Sequence, residues 1–565
     1  MREKQANRRI RLLVAIFALV FAAVLARAVW LQGVEAASLG GMAERQQHET
    51  ESIPASRGTI FDRTGVQLAI GEQTSTVYAD PRAVRQPRAL ARAAHELLGV
   101  DPNELYASLL DRTSSFVYVK RFADPVAAAK LMRKDFSGVD EYPEEKRFYP
   151  GNTVGSQVIG YAGTDEKGLS GLEIEYEHTL AGKPGTKTIV RTPLGRAIDV
   201  IKNTPPREGR AIFTTLDRTI QAYAESVLRQ TVAHWHAKDA VAVAIDPRTG
   251  GVLAMAQAPG YDANNASRVP QALQTNRAVT DTYEPGSVFK VVTIAGALTQ
   301  GLVTPQTRFT LPYSIRVADR TIHDAEHRPT ETLSVAQILS HSSNVGAVTI
   351  AEKLGDADLM TWIKRFGFGE KTGIDFPGES PGLVLPLDQW SGSTIGNVPI
   401  GQGIAVTPIQ LAAAYAAIAN DGVWIQPHLV DRIGGRAVTD FKRRRIVSKL
   451  VDAELKEMLT GVVDENTGTG TQAAIPGYSV AGKTGTAQKP IPGGYSDTKF
   501  EASFVGMVPV EHPRIVILVA VDEPHGDIYG GDVAAPAFAQ IAKFALQYLG
   551  VPPDQSTSGQ SQTTR

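Results

Sequence analysis

Tyr283-Glu284-Pro285-Gly286-Ser287-Val288-Phe289-Lys290 sets a chain break directly against an apolar run. Pro285 and Gly286 interrupt whatever precedes them. Val288, Phe289, Val291, Val292, Ile294, Ala295, Ala297 and Leu298 then follow almost without a polar residue, up to Gly301, which marks a helix C-terminus. A helix that is apolar nearly all round is a buried one. Ser287 is therefore expected in the first turn of a buried helix, with Lys290 one turn on and on the same face. A lysine inside an apolar element loses hydration and its pKa falls. A neutral amine within reach of a hydroxyl can take its proton, which makes Ser287 a candidate nucleophile and Lys290 its candidate base. Ser-x-x-Lys alone is common, and its plain reading is an ordinary helix start, so the case needs partners elsewhere in the chain.

Two partners lie downstream. Ser342-Ser343-Asn344 falls between two helical stretches, residues 333–339 and 345–354, and reads as a turn with polar side chains free to face a cleft. Lys483-Thr484-Gly485-Thr486 falls on a strand expected over residues 478–488, where Gly485 removes a side chain so that backbone or ligand can come close. Acyl transfer needs a nucleophile, a base, a proton relay to the leaving amine and donors for an oxyanion. Ser287 and Lys290 supply the first two, and Ser342 can relay the proton. Lys483 is expected to be a second cation, holding the Lys290 pKa down and attracting an anionic substrate. The N–H groups of Ser287 and Thr486 can bind the oxyanion. The hydroxyls of Thr484 and Thr486 can hold a substrate carboxylate, and Asn344 a substrate amide.

The rest of the chain supplies the frame. At 565 residues it exceeds one core. The formal net charge of −1 offers nothing to nucleic acid, and the absence of cysteine excludes disulfides, thiolate metal sites and a cysteine nucleophile. Arg2, Lys4, Arg8, Arg9 and Arg11 precede an apolar run over residues 12–31, broken only by Arg27. That is the length of a membrane span whose basic flank stays in the cytoplasm. The rival reading is a cleaved signal peptide ending near Val34-Glu35-Ala36; both export the remainder. Residues 44–215 are polar and mixed, with a strand at 75–79 and helices at 86–98 and 124–133. They carry Arg57-Gly58-Thr59-Ile60-Phe61-Asp62-Arg63-Thr64-Gly65, read as a structural ion-pair turn. Residues 203–210 read as a linker or turn. From Ala240 the texture changes: a hairpin (residues 240–245 and 252–256), helices including 410–420, then strands at 504–508 and 514–521. Strands at both ends with helices between suggest an antiparallel sheet covered by helices, an α+β arrangement. The tail from 551 to 565 should be disordered.

No histidine pair has the spacing and acidic context of a metal site, and no glycine-rich phosphate loop is present, so neither metal nor cofactor is expected. Gly401-Gln402-Gly403 is read as a helix boundary.

The three motifs in this order resemble the set of the penicillin-binding proteins and class A β-lactamases, with Ser343 where the motif is commonly written with aspartate. With the anchor, the Arg-Gly-x-x-x-Asp-Arg-x-Gly motif and Tyr-Glu-Pro-Gly-Ser-x-x-Lys, nearly the whole chain resembles a class B penicillin-binding protein, a peptidoglycan D,D-transpeptidase. The resemblance implies a cytoplasmic tail (1–11), a transmembrane helix (12–31), a non-catalytic dimerisation-like pedestal (44–215) and a transpeptidase domain (216–550) with a five-stranded antiparallel sheet. It implies acylation of Ser287 by peptidoglycan stem peptides and by β-lactams, and an extracytoplasmic catalytic domain on the bacterial cytoplasmic membrane. The partners implied are a polytopic SEDS glycosyltransferase of the FtsW kind and other division proteins. Tyr283 to Gly286 resembles the division-type, FtsI-like members; elongation-type and sporulation-type members stay open. So do a β-lactamase-like hydrolase or D,D-carboxypeptidase sharing the motifs, and a non-enzymatic receptor or scaffold, for which a long cytoplasmic effector domain would be expected.

Overall fold

A computed structural model describes residues 2–34, 48–191, 197–464 and 468–555. The Val34-Glu35-Ala36 site and most of the expected disordered tail lie outside these residues. The chain divides into two compact units, Met1–Ser56 with Gly182–Gly209, and Arg57–Ala181 with Arg210–Arg565.

In the first unit, an α-helix spans Arg2–Val29 and continues as a π-helical turn, Trp30–Val34. It is long and apolar enough to cross a membrane, and its large side chains, Phe17 and Leu19 among them, are exposed. The basic residues expected to form a separate tail lie on the same helix. The unit also holds a three-stranded antiparallel sheet in the order His48–Ile53, Gly185–Arg191, Ala197–Thr204.

The second unit is built on a five-stranded antiparallel sheet. Its strands are β1 (Asp239–Ile245), β2 (Val252–Ala258), β3 (Ala481–Ile491), β4 (Gly494–Val508) and β5 (Ile515–Asp522), in the spatial order β2-β1-β5-β4-β3. β1, β2 and β5 are buried along their whole length, which is why they read as unbroken apolar runs. The period of two still sorts the side chains. Ala240, Ala242 and Ala244 pack with Ile517 and Val519 under the helices Arg218–His234 and Ala535–Tyr548. Alanines on this face let the helices sit close, and Tyr223 stacks on Phe544 at 3.9 Å between them. Val241, Val243 and Ile245 face the other core, shared with the helices Lys290–Thr299 and Pro408–Ile418. β3 begins at Ala481, three residues later than the sequence pattern suggests, and β4 is far longer than expected because the two form an extended hairpin. Residues 331–334, expected in part to be helical, form a strand; the helix is Val335–Ser340, with Ser334 and Gln337 as its capping box.

The Arg-Gly-x-x-x-Asp-Arg-x-Gly motif fastens the start of this unit. Arg57 is buried and donates through Nε to Glu173 Oε2 (2.7 Å) and through Nη2 to the Glu173 carbonyl (2.9 Å). Its Nη1 pairs with Glu177 (2.7 Å). Arg147 Nε holds the other Glu173 oxygen at 2.6 Å. A Cβ on Gly58 would run into the Arg210 carbonyl. Asp62 Oδ1 accepts from Thr64 N, Thr64 Oγ1 and Val66 N, each at 2.8 Å, and Oδ2 accepts from Arg218 N at 3.2 Å. Arg63 pairs with Asp217, the N-cap of the helix Arg218–His234. The motif is a structural clamp, as its chemistry suggested.

Breaking a buried ion pair leaves an uncompensated charge, which costs about 3–5 kcal/mol. We expect Arg57→Ala near the lower end, since Arg147 still holds Glu173. The denaturation midpoint should fall while the folded fraction keeps its acyl-transfer site; an unchanged midpoint would show that the clamp contributes nothing.

Candidate active site

Pro285 closes the lead-in, and Gly286–Phe289 forms a single 3-10 turn that passes directly into the α-helix Lys290–Thr299. Ser287 thus lies in the tight turn and Lys290 is the first α-helical residue, a refinement of the expected single helix. Gly286 has φ +59°, which glycine adopts without strain. The turn is fixed from three sides. Gly286 N donates to the Gly401 carbonyl at 3.1 Å, Tyr415 OH donates to the Val288 carbonyl at 2.8 Å, and Tyr283 bridges Val406. A Cβ on Gly286 would fall 2.8 Å from the Thr486 carbonyl, and one on Gly485 would collide with Ser503 Oγ and lie 2.9 Å from the Pro285 carbonyl. The edge strand β3 therefore lies against the turn that carries Ser287, and Gly485 is the residue that permits it.

Ser342 and Asn344 approach from the opposite side. Ser342 sits at φ +60°, an uncommon conformation for a residue with a side chain, with a cost of about 1–3 kcal/mol. Ser343 N-caps the helix Asn344–Leu354, accepting from Gly346 N at 3.0 Å. The strained turn aims both the carbonyl and the hydroxyl of Ser342 at two lysines. Lys290 Nζ donates to the Ser342 carbonyl, to Ser342 Oγ (3.2 Å) and to Asn344 Oδ1 (2.7 Å). Lys483 Nζ donates to the same Ser342 Oγ at 2.9 Å and to the Thr484 carbonyl and hydroxyl at 3.2 Å each. One serine hydroxyl joins two amines that are both 0% exposed.

Burial decides their charge. It pulls Lys290 down to about 7, against a smaller upward pull from the Asp324 carboxylate. Lys483 falls well below the lysine range, through burial first and the neighbouring Lys290 second. Lys483 was expected to be a cation holding Lys290 down; the two amines face each other across Ser342 Oγ, and Lys290 helps to lower Lys483. Burial disfavours the charged form of both amines, and Lys290 titrates near neutrality. With three acceptors around each Nζ the geometry suits the ammonium form, and an amine that sheds its third proton gains a lone pair, so the Lys290–Ser342–Lys483 chain can relay a proton.

Thr486 is half-buried and its hydroxyl accepts from Gly530 N at 3.2 Å. Thr484 is buried against Thr469 Oγ1 (2.8 Å), inside the hydroxyl–amine network. Asn344 is engaged at both ends, accepting from Lys290 and donating to the His323 carbonyl at 3.0 Å. All eight candidate residues belong to one unit.

Two groups were not found by reading the sequence. Asp324 lies under the Ser342–Asn344 turn; nothing local marks it, because the turn it holds is some twenty residues away. Glu284 Oε1 accepts from Gly403 N (2.9 Å) and from Tyr495 OH (3.1 Å), and Gly401 packs on Gly286. The paired glycines of Gly401-Gln402-Gly403 were the available signal, and the helix-boundary reading undervalued them.

Known families and structures match this arrangement. The penicillin binding protein transpeptidase domain matches residues 240–543, and the penicillin-binding protein dimerisation domain matches residues 52–214. The chain is 33% identical to the probable peptidoglycan D,D-transpeptidase PenA of Neisseria meningitidis, over 97% of this chain and 94% of that protein. It is 31% identical to the peptidoglycan D,D-transpeptidase FtsI of Escherichia coli, over 98% and 93%. The crystal structure of penicillin binding protein 3 from Mycobacterium tuberculosis complexed with aztreonam superposes with a TM-score of 0.71 at 30% identity, covering 89% of this chain and 98% of that one.

Because a misplacement of about 1 Å costs on the order of 10²-fold in rate, Gly485→Ala should cut labelling by a fluorescent penicillin by about that factor. Overpacking of this kind costs about 1–3 kcal/mol of stability, so the protein should still fold. Labelling at the wild-type rate would show that β3 need not lie so close to the Ser287 turn.

Proposed function

The chain belongs to the class B penicillin-binding proteins, the peptidoglycan D,D-transpeptidases, and from that premise we propose that Ser287 is the acylated serine and Lys290 its base. The observation that carries the assignment is the burial of Lys290 one turn from Ser287, with its pKa near 7 and its amine joined through Ser342 Oγ to Lys483. In the proposed reaction Ser287 Oγ attacks the stem-peptide carbonyl as its proton passes to Lys290 Nζ. The N–H groups of Ser287 and Thr486 receive the oxyanion. The carbon–nitrogen bond then breaks, and the proton held on Lys290 reaches the leaving amine through Ser342 Oγ, leaving an ester on Ser287. An acceptor amine attacks that ester, and the steps run in reverse. A β-lactam follows the first half, but its leaving nitrogen stays tethered. Thr486 and Asn344 line the substrate side, Lys483 and Thr484 complete the proton network, and Gly485 holds β3 close.

The substrate is peptidoglycan, and the one helix among the described residues that is long and apolar enough to cross a membrane lies at the N-terminus, which supports a single-pass anchor. We further infer that the basic residues Arg2 to Arg11 keep the N-terminus in the cytoplasm, so that the catalytic domain works outside the cytoplasmic membrane. The lead-in Tyr283-Glu284-Pro285-Gly286 and the similarity to FtsI support a septal role, with a polytopic SEDS glycosyltransferase making the glycan that this enzyme cross-links.

Mass spectrometry after β-lactam treatment should place a slowly released adduct on Ser287. An adduct elsewhere would overturn the assignment, and turnover at many cycles per minute would favour a hydrolase. Lys290→Ala should lose acylation as completely as Ser287→Ala, because residues acting as a unit fail together. The base must be neutral to act, so the wild-type rate should rise with pH through a midpoint of about 7, the Lys290 value. A flat profile across neutrality would put the base elsewhere.

Replacing the anchor with an unrelated spanning helix should preserve export and penicillin labelling but fail to support division, since helix association in lipid depends on specific side-chain packing. Full rescue of division would show that the native segment only anchors.

A further inference from the structure

Asp324 follows the antiparallel hairpin Ser314–Val317 and Arg320–His323 and is 6% exposed. Its Oδ1 accepts from the backbone N–H of Asn344 (2.6 Å) and Val345 (3.0 Å), at the start of the helix Asn344–Leu354. Ser343 Oγ lies 3.1 Å from each carboxylate oxygen and donates to the pair. Arg328 grips Oδ2 through Nε (2.9 Å) and Nη2 (2.5 Å). Arg328 is itself held by the Leu311 carbonyl at 3.0 Å and by Glu331 at 3.1 Å. Every oxygen of this buried carboxylate is occupied, and three of its donors belong to the segment that presents Ser342.

On the far side of that segment stand the two buried amines. The Ser342–Asn344 turn is thus gripped between a fixed carboxylate and Lys290. A turn holding a residue at positive φ needs such over-determination to persist. The titratable groups facing Lys290 are Lys483 and, across the turn, Asp324. Those facing Asp324 are Arg328 and, behind it, Glu331, while the His323 ring Nδ1 lies 2.8 Å from the Asp324 carbonyl. Asp324 is the carboxylate that opposes the effect of burial on Lys290.

We propose that Asp324 is a positioning residue for the acyl transfer: it sets the Ser342–Asn344 turn against the Lys290 amine and supplies the counter-charge of that buried site. In this chain the middle position of the motif is Ser343, and the carboxylate arrives from another loop through the Ser343 hydroxyl. The inference rests on Ser287 being the acylated serine and Lys290 its base.

The test uses the full-length protein in detergent and measures the second-order rate of β-lactam acylation across the neutral pH range, with melting temperature recorded for each variant. Asp324→Asn removes one charge-assisted anchor and should slow acylation about tenfold or more. It also removes the charge that favours protonated Lys290, so the acid limb of the profile should move to lower pH. Arg328→Gln keeps the carboxylate and removes the opposing cation, so its acid limb should move to higher pH. Opposite shifts from the two variants support the proposal, and a role limited to folding would move neither. If Asp324→Asn does not fold, the upward shift in Arg328→Gln supports the proposal, and an unmoved limb there overturns it. Wild-type rate and midpoint in a folded Asp324→Asn overturn it too. If the wild-type adduct maps to a residue other than Ser287, the site reading itself fails, and this inference with it.

Discussion

Two lysines buried side by side cannot both be charged. Each alone would carry a large desolvation penalty, and their mutual repulsion adds to it. Lys290 and Lys483 meet at one hydroxyl, Ser342 Oγ, and the surrounding structure decides which of them keeps a proton. That constraint demands a dry, rigid pocket, and the second unit is organised to supply one. The five-stranded sheet is buried on both faces where β1 and β5 cross it, and the helix Lys290–Thr299 has nine of its ten residues buried, all but the terminal Thr299. A mobile or wet pocket would let both amines return to the ordinary lysine range, and the site would lose its base.

The pocket is narrowed by removing side chains as much as by placing them. Gly485 lets β3 touch the Pro285 carbonyl, Gly286 lets the Ser287 turn touch the Thr486 carbonyl, and Gly401 fills the remaining side of that turn. A Cβ at any of the three would open a gap of atomic size between nucleophile and strand. The clamp at Arg57 and Asp62 works farther from the chemistry. Asp62 and Arg63 reach the first turn of the helix Arg218–His234, which packs on the alanine face of β1. The pedestal motif therefore bears on the sheet through one helix and touches none of the reacting groups.

Much of this was legible in the chain because the chemistry is written in short motifs with local context. Ser287 and Lys290 stand three residues apart at a helix start, and a strand needs only its own apolar run to be seen. β1, β2 and β5 were legible for that reason. What was missed depends on contacts across long stretches of sequence. Asp324 acts on Asn344 and Val345 through space, and no periodicity links them. Gly403 meets Glu284 across more than a hundred residues. The state of Lys483 could not be read either. Sequence gives a lysine on a strand, whereas the downward shift of its pKa follows from complete burial beside a second amine. The early end of the helix expected over residues 333–339 was a contest between a capping box at Ser334 and strand pairing with Arg308–Leu311, which pairing wins up to Ser334 itself.

The same geometry bears on why, in the proposed reaction, the acyl-enzyme waits for an amine rather than for water. Hydrolysis would need a second base placed to activate a water molecule after Ser287 has been esterified. Asp324 gives both oxygens to Arg328, Ser343 and two backbone N–H groups. Glu284 Oε1 accepts from Gly403 N and the Tyr495 hydroxyl while its Oε2 is buried without a partner, and burial raises its pKa, which weakens it as an anion. Lys290 is held by Ser342 and Asn344 in the orientation that returns a proton along the path it came by. An incoming acceptor amine retraces the route of the departing one and finds the proton network already aligned. A water molecule arriving by another path does not, which favours slow deacylation in the proposed reaction.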